Sequence, residues 1–233
     1  PLSTSVIVLP ISEGDSETTI PALLIAFQPD LGPVFVLIAL WLAILLVAGI
    51  KVKHLAFIAL IGIVILALSW SFFLLDHQRE RILSFLEPEL DPLGIGWSQL
   101  QSKIAIGNGG LFGQGFAQGS QTQYGFLSEP QTDFIFAALA EEFGIFGVGI
   151  TFILLMVLLW RVLRIGMKAE GNFARLVATG FATLLIAQTF VNVGMNLGLL
   201  PIIGLSLPLV SYGGSSLILT YIGLGFLLSI KTH

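Results

Sequence analysis

The sequence contains no cysteine and little charge, and each shortage excludes a class of protein. Without cysteine there are no disulfide bonds and no thiolate metal sites. Charged residues make up 10% of the 233-residue chain, whereas soluble domains carry about 25%. No basic cluster is interleaved with aromatic residues, which argues against nucleic-acid binding. His54 and His77 are expected on opposite sides of the membrane and His233 is terminal, so no histidine metal site is predicted.

The rest of the composition is typical of a membrane protein. Hydrophobic residues make up 55% of the chain and the mean hydropathy is +0.96, which predicts an all-α polytopic membrane protein. A helix needs about 20 apolar residues to cross a bilayer, and we expect five such spans in a single membrane domain, residues 1–233. The predicted spans are 33–50, 55–75, 134–160, 176–199 and 214–230. The apolar run 20–27 is too short to span and predicts a half-helix ending at Gln28-Pro29-Asp30.

The basic residues lie mostly on one side of this topology. Of the 10 lysine and arginine residues, seven fall on the same side: Lys51, Lys53, Arg161, Arg164, Lys168, Arg175 and Lys231. Because basic residues in short loops favour the cytoplasmic side, we expect this side and the C-terminus to be cytoplasmic. The long loop 76–133 is then extracellular.

We expect the extracellular loop 76–133 to be ordered and to carry the function. Loops longer than about 15 residues without secondary structure are uncommon unless they are functional or disordered. This loop contains several aromatic residues and a predicted helix from Trp97 to Ile106. Trp97, Leu100 and Ile104 share one face of that helix, which predicts that the helix lies flat on the membrane surface.

Asp133 stands where the loop meets a predicted long helix, in Thr132-Asp133-Phe134. One interpretation is a helix N-cap, because aspartate accepts hydrogen bonds from first-turn amides. The other is a carboxylate that acts as a general base at the membrane surface. Substitution would cost about 1 kcal/mol of stability for a cap, but about 10²–10⁴ in rate for a base.

Glu141 and Glu142 follow on the same predicted helix, about 12 Å further along its axis than Asp133. A charge inside the bilayer costs on the order of 3 kcal/mol, so such residues are candidates for function. With successive residues about 100° apart, Glu141 shares a face with Asp133 more nearly than Glu142 does. Structural pairing with an arginine or with backbone groups explains both residues equally well.

A polar stripe runs along the predicted span 176–199, where Gln188, Asn192 and Asn196 recur every four residues. We interpret the stripe as a set of interhelical hydrogen bonds, because side-chain amides join helices in this way in membranes. Gly194 and Gly198 add the small-residue spacing that allows two helices to approach closely.

The segment 201–216 is apolar yet rich in glycine and proline. Non-helical backbone at membrane depth must be buried in protein or line a cavity. A simple outer turn is the alternative.

Three basic residues, Arg79, Arg81 and Lys103, lie in the extracellular loop. They are candidates to bind an anionic headgroup or a diphosphate. Solvated charges paired with neighbouring glutamates are the alternative.

Several strings along the chain resemble the SEDS family of cell-wall polymerases. They stand, in order, at 28–32 (QPDLG), 91–94 (DPLG), 101–107 (QSKIAIG), 119–123 (GSQTQ), 132–136 (TDFIF), 140–142 (AEE) and 201–216. The strings 91–94 and 119–123 are more similar to the elongation branch of the family, RodA, than to the division branch, FtsW. The resemblance implies that this chain is the C-terminal part of a longer membrane protein.

The family resemblance implies a peptidoglycan glycosyltransferase that joins lipid II into glycan strands outside the bacterial cytoplasmic membrane. It places the catalytic aspartate at Asp133, in an inverting reaction that expels undecaprenyl diphosphate. It further implies substrate contacts from Arg79, Arg81, Lys103, Gln121, Glu129, Thr132 and Ser211. Two positions depart from the family pattern, because Gln131 replaces a usual histidine and Gln114 a usual lysine.

The resemblance also implies partners and a metal. A class B penicillin-binding protein, the transpeptidase, is the expected partner. A divalent cation, Mg²⁺ or Mn²⁺, is expected to assist the leaving diphosphate, although no ligands for it are assigned, and no organic cofactor is expected.

Two other functions fit the same residues. In a lipid II flippase, Glu141, Gln188 and Asn192 would line a path across the membrane and Asp133 would be only a cap. A non-catalytic scaffold would merely position the transpeptidase.

Overall fold

The computed structural model describes residues 31–50, 94–169 and 171–232, with a few isolated positions between 53 and 85. Within this part every regular element is a helix. The helices are α1 (Leu31–Val47), α2 (Ile95–Gly109), α3 (Ser120–Gln123), α4 (Ile135–Lys168), α5 (Asn172–Asn196) and α6 (Gly214–Thr232). The predicted half-helix, most of the span 55–75, and Arg79 and Arg81 lie outside the described residues.

Two of these helices are long and apolar enough to cross a membrane. They are α4 and α5, with mean hydropathies of 2.5 and 1.7 over their most apolar windows, while α1 and α6 are shorter apolar helices. The sequence predicted all four, but ended α4 at residue 160. The helix continues to Lys168 because a polar end does not break the backbone hydrogen-bond ladder. Arg161 and Arg164 lie 5.7 and 5.1 Å from the centre of the Trp160 ring.

Helix α5 is the centre of the packing, since it contacts both α1 and α4. At one end Val162, Ala178, Ala182 and Leu227 form a buried cluster. At the other end a second cluster joins α1 and α5 to the segment after α5. The helices approach closely because small residues stand at the contacts. A β-carbon on Gly166, for example, would lie 2.8 Å from Ala178 Cβ.

Helix α4 is broken at Gly144, which has φ 64° and ψ −164°. This backbone region is open essentially to glycine alone. The strap, residues 110–115, lies against the break and supplies the hydrogen bonds that the helix loses there. The four bonds run from Gln114 N to Glu141 O (2.9 Å), Gly115 N to Glu142 O (3.0 Å), Ile145 N to Gly110 O (3.0 Å) and Phe146 N to Leu111 O (3.2 Å).

Helix α2 turns its polar face inward. Gln99 and Ser102 are buried, whereas Trp97, Leu100 and Ile104 are exposed. The sequence predicted this helix over 97–106, and it begins and ends a little further out. Gln99 Nε2 donates to Leu200 O at 3.1 Å, so α2 is attached to the segment just after α5 through polar groups and leaves its apolar face outward.

Candidate functional site

Asp133 lies in a tight turn that leads into α4. The carbonyl of Glu129 accepts hydrogen bonds from Thr132 N at 3.2 Å and Phe134 N at 3.3 Å. Glu129 itself has φ 42°, in the left-handed region that is unfavourable for a residue with a β-carbon. Glu129 is exposed, whereas Thr132 and Asp133 are half-buried.

The polar stripe of α5 binds the main chain of Asp133. Asn192 Nδ2 and Asn196 Nδ2 each donate to Asp133 O at 3.0 Å, and both asparagines are 0% exposed. Asn192 Nδ2 also donates to Leu205 O at 2.7 Å. Both residues therefore bond to main chain outside their own helix, and their shared acceptor is the peptide of the candidate base, which lies in a turn rather than in a helix. Gln188, one turn earlier on the stripe, is half-buried.

Asn196 joins three elements through one buried amide. Its Oδ1 accepts from Ala137 N in the first turn of α4 at 3.2 Å and from Ser102 Oγ of α2 at 3.3 Å. Ser102 Oγ also reaches Asn196 O at 2.9 Å. The N-cap residue of α4 is Phe134, which makes no side-chain cap bond. Asn196, a residue of another helix, thus accepts a hydrogen bond from the first turn of α4, and the cap interpretation of Asp133 stays a prediction.

The segment after α5 holds the other side of the turn. Ser211 Oγ donates to Thr132 O at 2.8 Å and accepts from Leu207 N at 2.7 Å. Tyr212 N donates to Gln131 O at 2.8 Å. Ile203, Leu205 and Leu207 of this non-helical segment are buried, so the segment packs into the protein. Three peptides in a row, 131 to 133, are therefore held by residues distant in sequence.

The Asp133 carboxyl group faces the same segment. Its Oδ2 lies 3.8 Å from the place that a β-carbon would take on Gly204. Gly204 has φ 68°, so its backbone conformation favours glycine, whereas a β-carbon would meet the carboxylate only at an ordinary contact distance.

Lys103 is the one member of the predicted basic trio that the structure describes. It follows Ser102 on α2 and is exposed. Its side chain crosses Gly198, just beyond α5, where a β-carbon would collide with Lys103 Cε and Nζ. Because Asn196 bonds both Ser102 and Asp133, the end of α5 brings the lysine-bearing helix and the aspartate turn to one place.

The remaining candidates lie around α3. Glu141 is fully buried and its carboxylate accepts hydrogen bonds from residues 120–122. Pairing with backbone groups, one of the two interpretations made from the sequence, is therefore present. Gln121 Oε1 is buried, and no hydrogen-bond donor from the described part of the chain reaches it.

Sequence reasoning missed Ser102, Gln99 and the strap. The polar residues Gln99 and Ser102 stand three apart on the predicted helix of the loop, and this spacing was a signal for one polar face. Across the part of the chain that the structure covers, no three His, Asp or Glu side chains are grouped to hold a metal ion.

Comparisons with known proteins agree on one family. The family model that describes FtsW, RodA and SpoVE, cell cycle proteins, matches residues 15–233. The peptidoglycan glycosyltransferase MrdB of Escherichia coli K12 is 44% identical over 213 residues, which are 91% of this chain and 58% of that protein. This chain thus spans a little over half the length of that relative.

Two solved structures are similar to the fold. One is a peptidoglycan synthase complex described as coordinating polymerization and crosslinking, with a TM-score of 0.74 and 33% identity over 96% of this chain and 63% of that one. The other is the D255A mutant of the Thermus thermophilus rod shape determining protein RodA, with a TM-score of 0.58, 31% identity and coverage of 96% and 59%.

Proposed function

The chain belongs to the FtsW, RodA and SpoVE family of cell cycle proteins, and we propose that it forms part of a peptidoglycan glycosyltransferase that polymerises lipid II during cell elongation. One observation carries the proposal. The peptide of Asp133 is held by two fully buried asparagines of another helix. Buried amides that fix the main chain next to a half-buried carboxyl group are what a pre-positioned general base requires.

In the proposed reaction, Asp133 removes the proton from a sugar hydroxyl of the acceptor lipid II. The freed oxygen attacks the anomeric carbon of the donor, and the bond to undecaprenyl diphosphate breaks with inversion from α to β. A single base is enough, because no covalent sugar intermediate forms. Lys103, together with Arg79 and Arg81, is proposed to stabilise the negative charge that develops on the leaving diphosphate.

Gln121, Glu129, Thr132 and Ser211 remain proposed substrate contacts, with different supporting observations. The buried, unmatched Oε1 of Gln121 suits a hydroxyl or amide N–H of the substrate, since a buried acceptor without a partner is costly. Ser211 already uses its hydroxyl on Thr132 O and Leu207 N, so its contribution would be to place the turn. Thr132 and Glu129 form that turn.

A divalent cation, magnesium or manganese, remains a prediction. When bound it would neutralise charge on the diphosphate. The carboxylates of the described turn, Asp133 and Glu129, are too few to form a site alone, and no step of the proposed reaction is routed through a metal.

The proposed membrane topology has about five spans and a short N-terminal half-helix, with the loop 76–133 outside and the C-terminus in the cytoplasm. From Glu141 to Trp160 the chain rises about 30 Å at 1.5 Å per residue, which matches a hydrocarbon core of about 30 Å. Glu141 and Glu142 then lie at the outer boundary of the core when Trp160 lies at its inner boundary. At the other end, Trp160 with Arg161 and Arg164 suits the cytoplasmic interface.

The expected partner is a class B penicillin-binding protein, which would crosslink the strands that this enzyme polymerises. The similarity to a synthase complex that couples polymerization with crosslinking supports this proposal.

The test is polymerisation of labelled lipid II by the full-length protein, with Asp133→Asn as the decisive variant. The asparagines of α5 bind the main chain of Asp133, so this substitution keeps their bonds and removes only the carboxylate. We expect the rate to fall by about 10²–10⁴. Asparagine caps helices as well as aspartate does, so an unchanged rate would contradict the base and favour a structural role.

Two further measurements on the same full-length protein separate the alternative functions. Transport of lipid II across vesicles without glycan formation would identify a flippase, and a stable transpeptidase complex with neither activity would identify a scaffold. The structure favours neither. Glu141 and Asn192 are 0% exposed and bonded to protein partners, which argues against a role in lining an open path.

A further inference from the structure

Glu141 and Glu142 are adjacent in sequence but have opposite surroundings. Glu141 is 0% exposed, whereas Glu142 is partly exposed and has one long hydrogen bond, from Gln123 Nε2 at 3.5 Å. A buried carboxylate is expensive unless charged or polar groups compensate it. The structure provides that compensation through α3 and its flanking residue.

Four donors surround the Glu141 carboxylate, two on each oxygen. Oε1 accepts from Gln121 N at 2.8 Å and Ser120 Oγ at 3.2 Å. Oε2 accepts from Thr122 Oγ1 at 2.7 Å and Thr122 N at 3.1 Å. A β-carbon on Gly119 would lie 2.5 Å from Oε2, so the backbone just before α3 also packs closely against the carboxylate. Both oxygens are required for this arrangement.

The segment that Glu141 holds leads to the Asp133 turn. The carbonyl of Gln121 accepts from Phe126 N and Leu127 N, both at 3.1 Å. Leu127, 2% exposed, belongs to one buried cluster with Phe134, 3% exposed. Phe134 is the residue that follows Asp133. A continuous set of contacts therefore runs from the Glu141 carboxylate, through α3 and Leu127, to the candidate base.

We propose that Glu141 is a positioning residue for glycan polymerisation: its carboxylate locks α3 against the break in α4 and thereby sets the place of Asp133 and of Gln121. This inference rests on the proposed function, and it assigns no contact with substrate to Glu141 itself. The lock also explains why the strap and α3 share one support. The Glu141 carbonyl accepts a hydrogen bond from Gln114 N of the strap at 2.9 Å, while its carboxylate accepts the hydrogen bonds from α3.

The first variant is Glu141→Gln, with Glu142→Gln as its matched control. Glutamine keeps one acceptor oxygen and turns the other into an NH2 donor that faces a backbone N–H. That backbone bond is lost, while the hydroxyl on the same side can reverse and accept. We expect kcat per mole of folded protein to fall about tenfold or more, because small displacements of reacting groups lower rates by up to about 10². Glu142→Gln makes the same change of charge one residue away and should stay within about threefold.

The second variant, Thr122→Val, keeps the shape of the side chain and removes only the 2.7 Å hydroxyl bond. Alone it should lower kcat about threefold, and it should lower the rate of Glu141→Gln no further, because groups that act through one contact are not additive. If the single effects simply multiply, the lock does not act as proposed. Because Thr122→Val removes a single bond, it provides a test should Glu141→Gln not fold, and a kcat no lower than that of Glu142→Gln would then overturn the inference.

The KM for lipid II separates positioning from loss of structure. We expect kcat to fall more than KM changes, since the base is displaced while most of the site persists. Activity that falls only in proportion to the folded fraction, or a Glu141→Gln kcat within threefold of wild type, would overturn the inference. A wild-type protein that forms no glycan would instead overturn the proposed function.

Discussion

Replacing Asn196 by alanine should reduce both stability and rate. The change leaves Ala137 N without its 3.2 Å acceptor, and an unpaired buried amide costs about 1–3 kcal/mol. Ser102 keeps its 2.9 Å bond to the main-chain carbonyl of residue 196, and Asp133 O keeps Asn192. With the small cavity included, we expect a loss of about 2–4 kcal/mol in the free energy of unfolding.

The effect on catalysis follows from the same contacts. With one of its two amides gone, the Asp133 peptide is free to move, and a displacement of about 1 Å costs up to about 10² in rate. We expect kcat for lipid II polymerisation to fall about 10- to 100-fold per mole of folded protein. Thermal unfolding in detergent and initial polymerisation rates measure the two quantities separately.

Gln188→Ala is the matched control, because Gln188 is a half-buried amide of the same stripe, away from the Asp133 carbonyl. Its rate should stay within about threefold of wild type. Equal losses of rate for Asn196→Ala and Gln188→Ala would refute the reasoning, since the stripe would then act only through general helix packing.

Two further predictions concern the helix break and the exposed cation. Gly144→Ala should lower the unfolding temperature in detergent and expose the strap to protease, because its backbone region is nearly closed to alanine and its β-carbon would lie 2.5 Å from Leu111 O. Gly149→Ala, in open space on the same helix, should instead raise the free energy of unfolding by up to about 1 kcal/mol. An equal change in unfolding temperature for the two variants would contradict the account of the break. Lys103→Gln should lower kcat about tenfold while Lys103→Arg keeps most of it, and a Lys103→Gln rate equal to wild type would remove Lys103 from the diphosphate site.

The apolar helices were predictable because each is set by local composition. Apolar runs of sufficient length predicted both α4 and α5, although α4 continues to Lys168, beyond its predicted end at 160, and the helix around Ser102 was expected from its pattern. The break at Gly144 was not predictable in this way. Glycine is common throughout this chain, with 26 residues, and nothing local distinguishes the one whose helix opens. The opening depends on the strap, which arrives from about 30 positions earlier in the chain and pairs through backbone groups common to nearly every residue.

The candidate site was likewise predictable only in part. Three amides spaced by four residues predicted a set of donors on one face of α5, and two of them donate to a turn outside the helix. Their acceptor could not be predicted, because it is a main-chain carbonyl and carries no sequence signal. The same holds for Glu141, whose partners are mainly the amides and hydroxyls of a four-residue helix. Side-chain spacing therefore identifies which helix faces offer polar groups, whereas the structure is needed to show what they bind: α5 binds the turn of Asp133 and Glu141 of α4 binds α3. If the turn is held in this way, combining Asn196→Ala with Glu141→Gln should cost less than the product of their separate losses in rate, since either variant alone already releases Asp133.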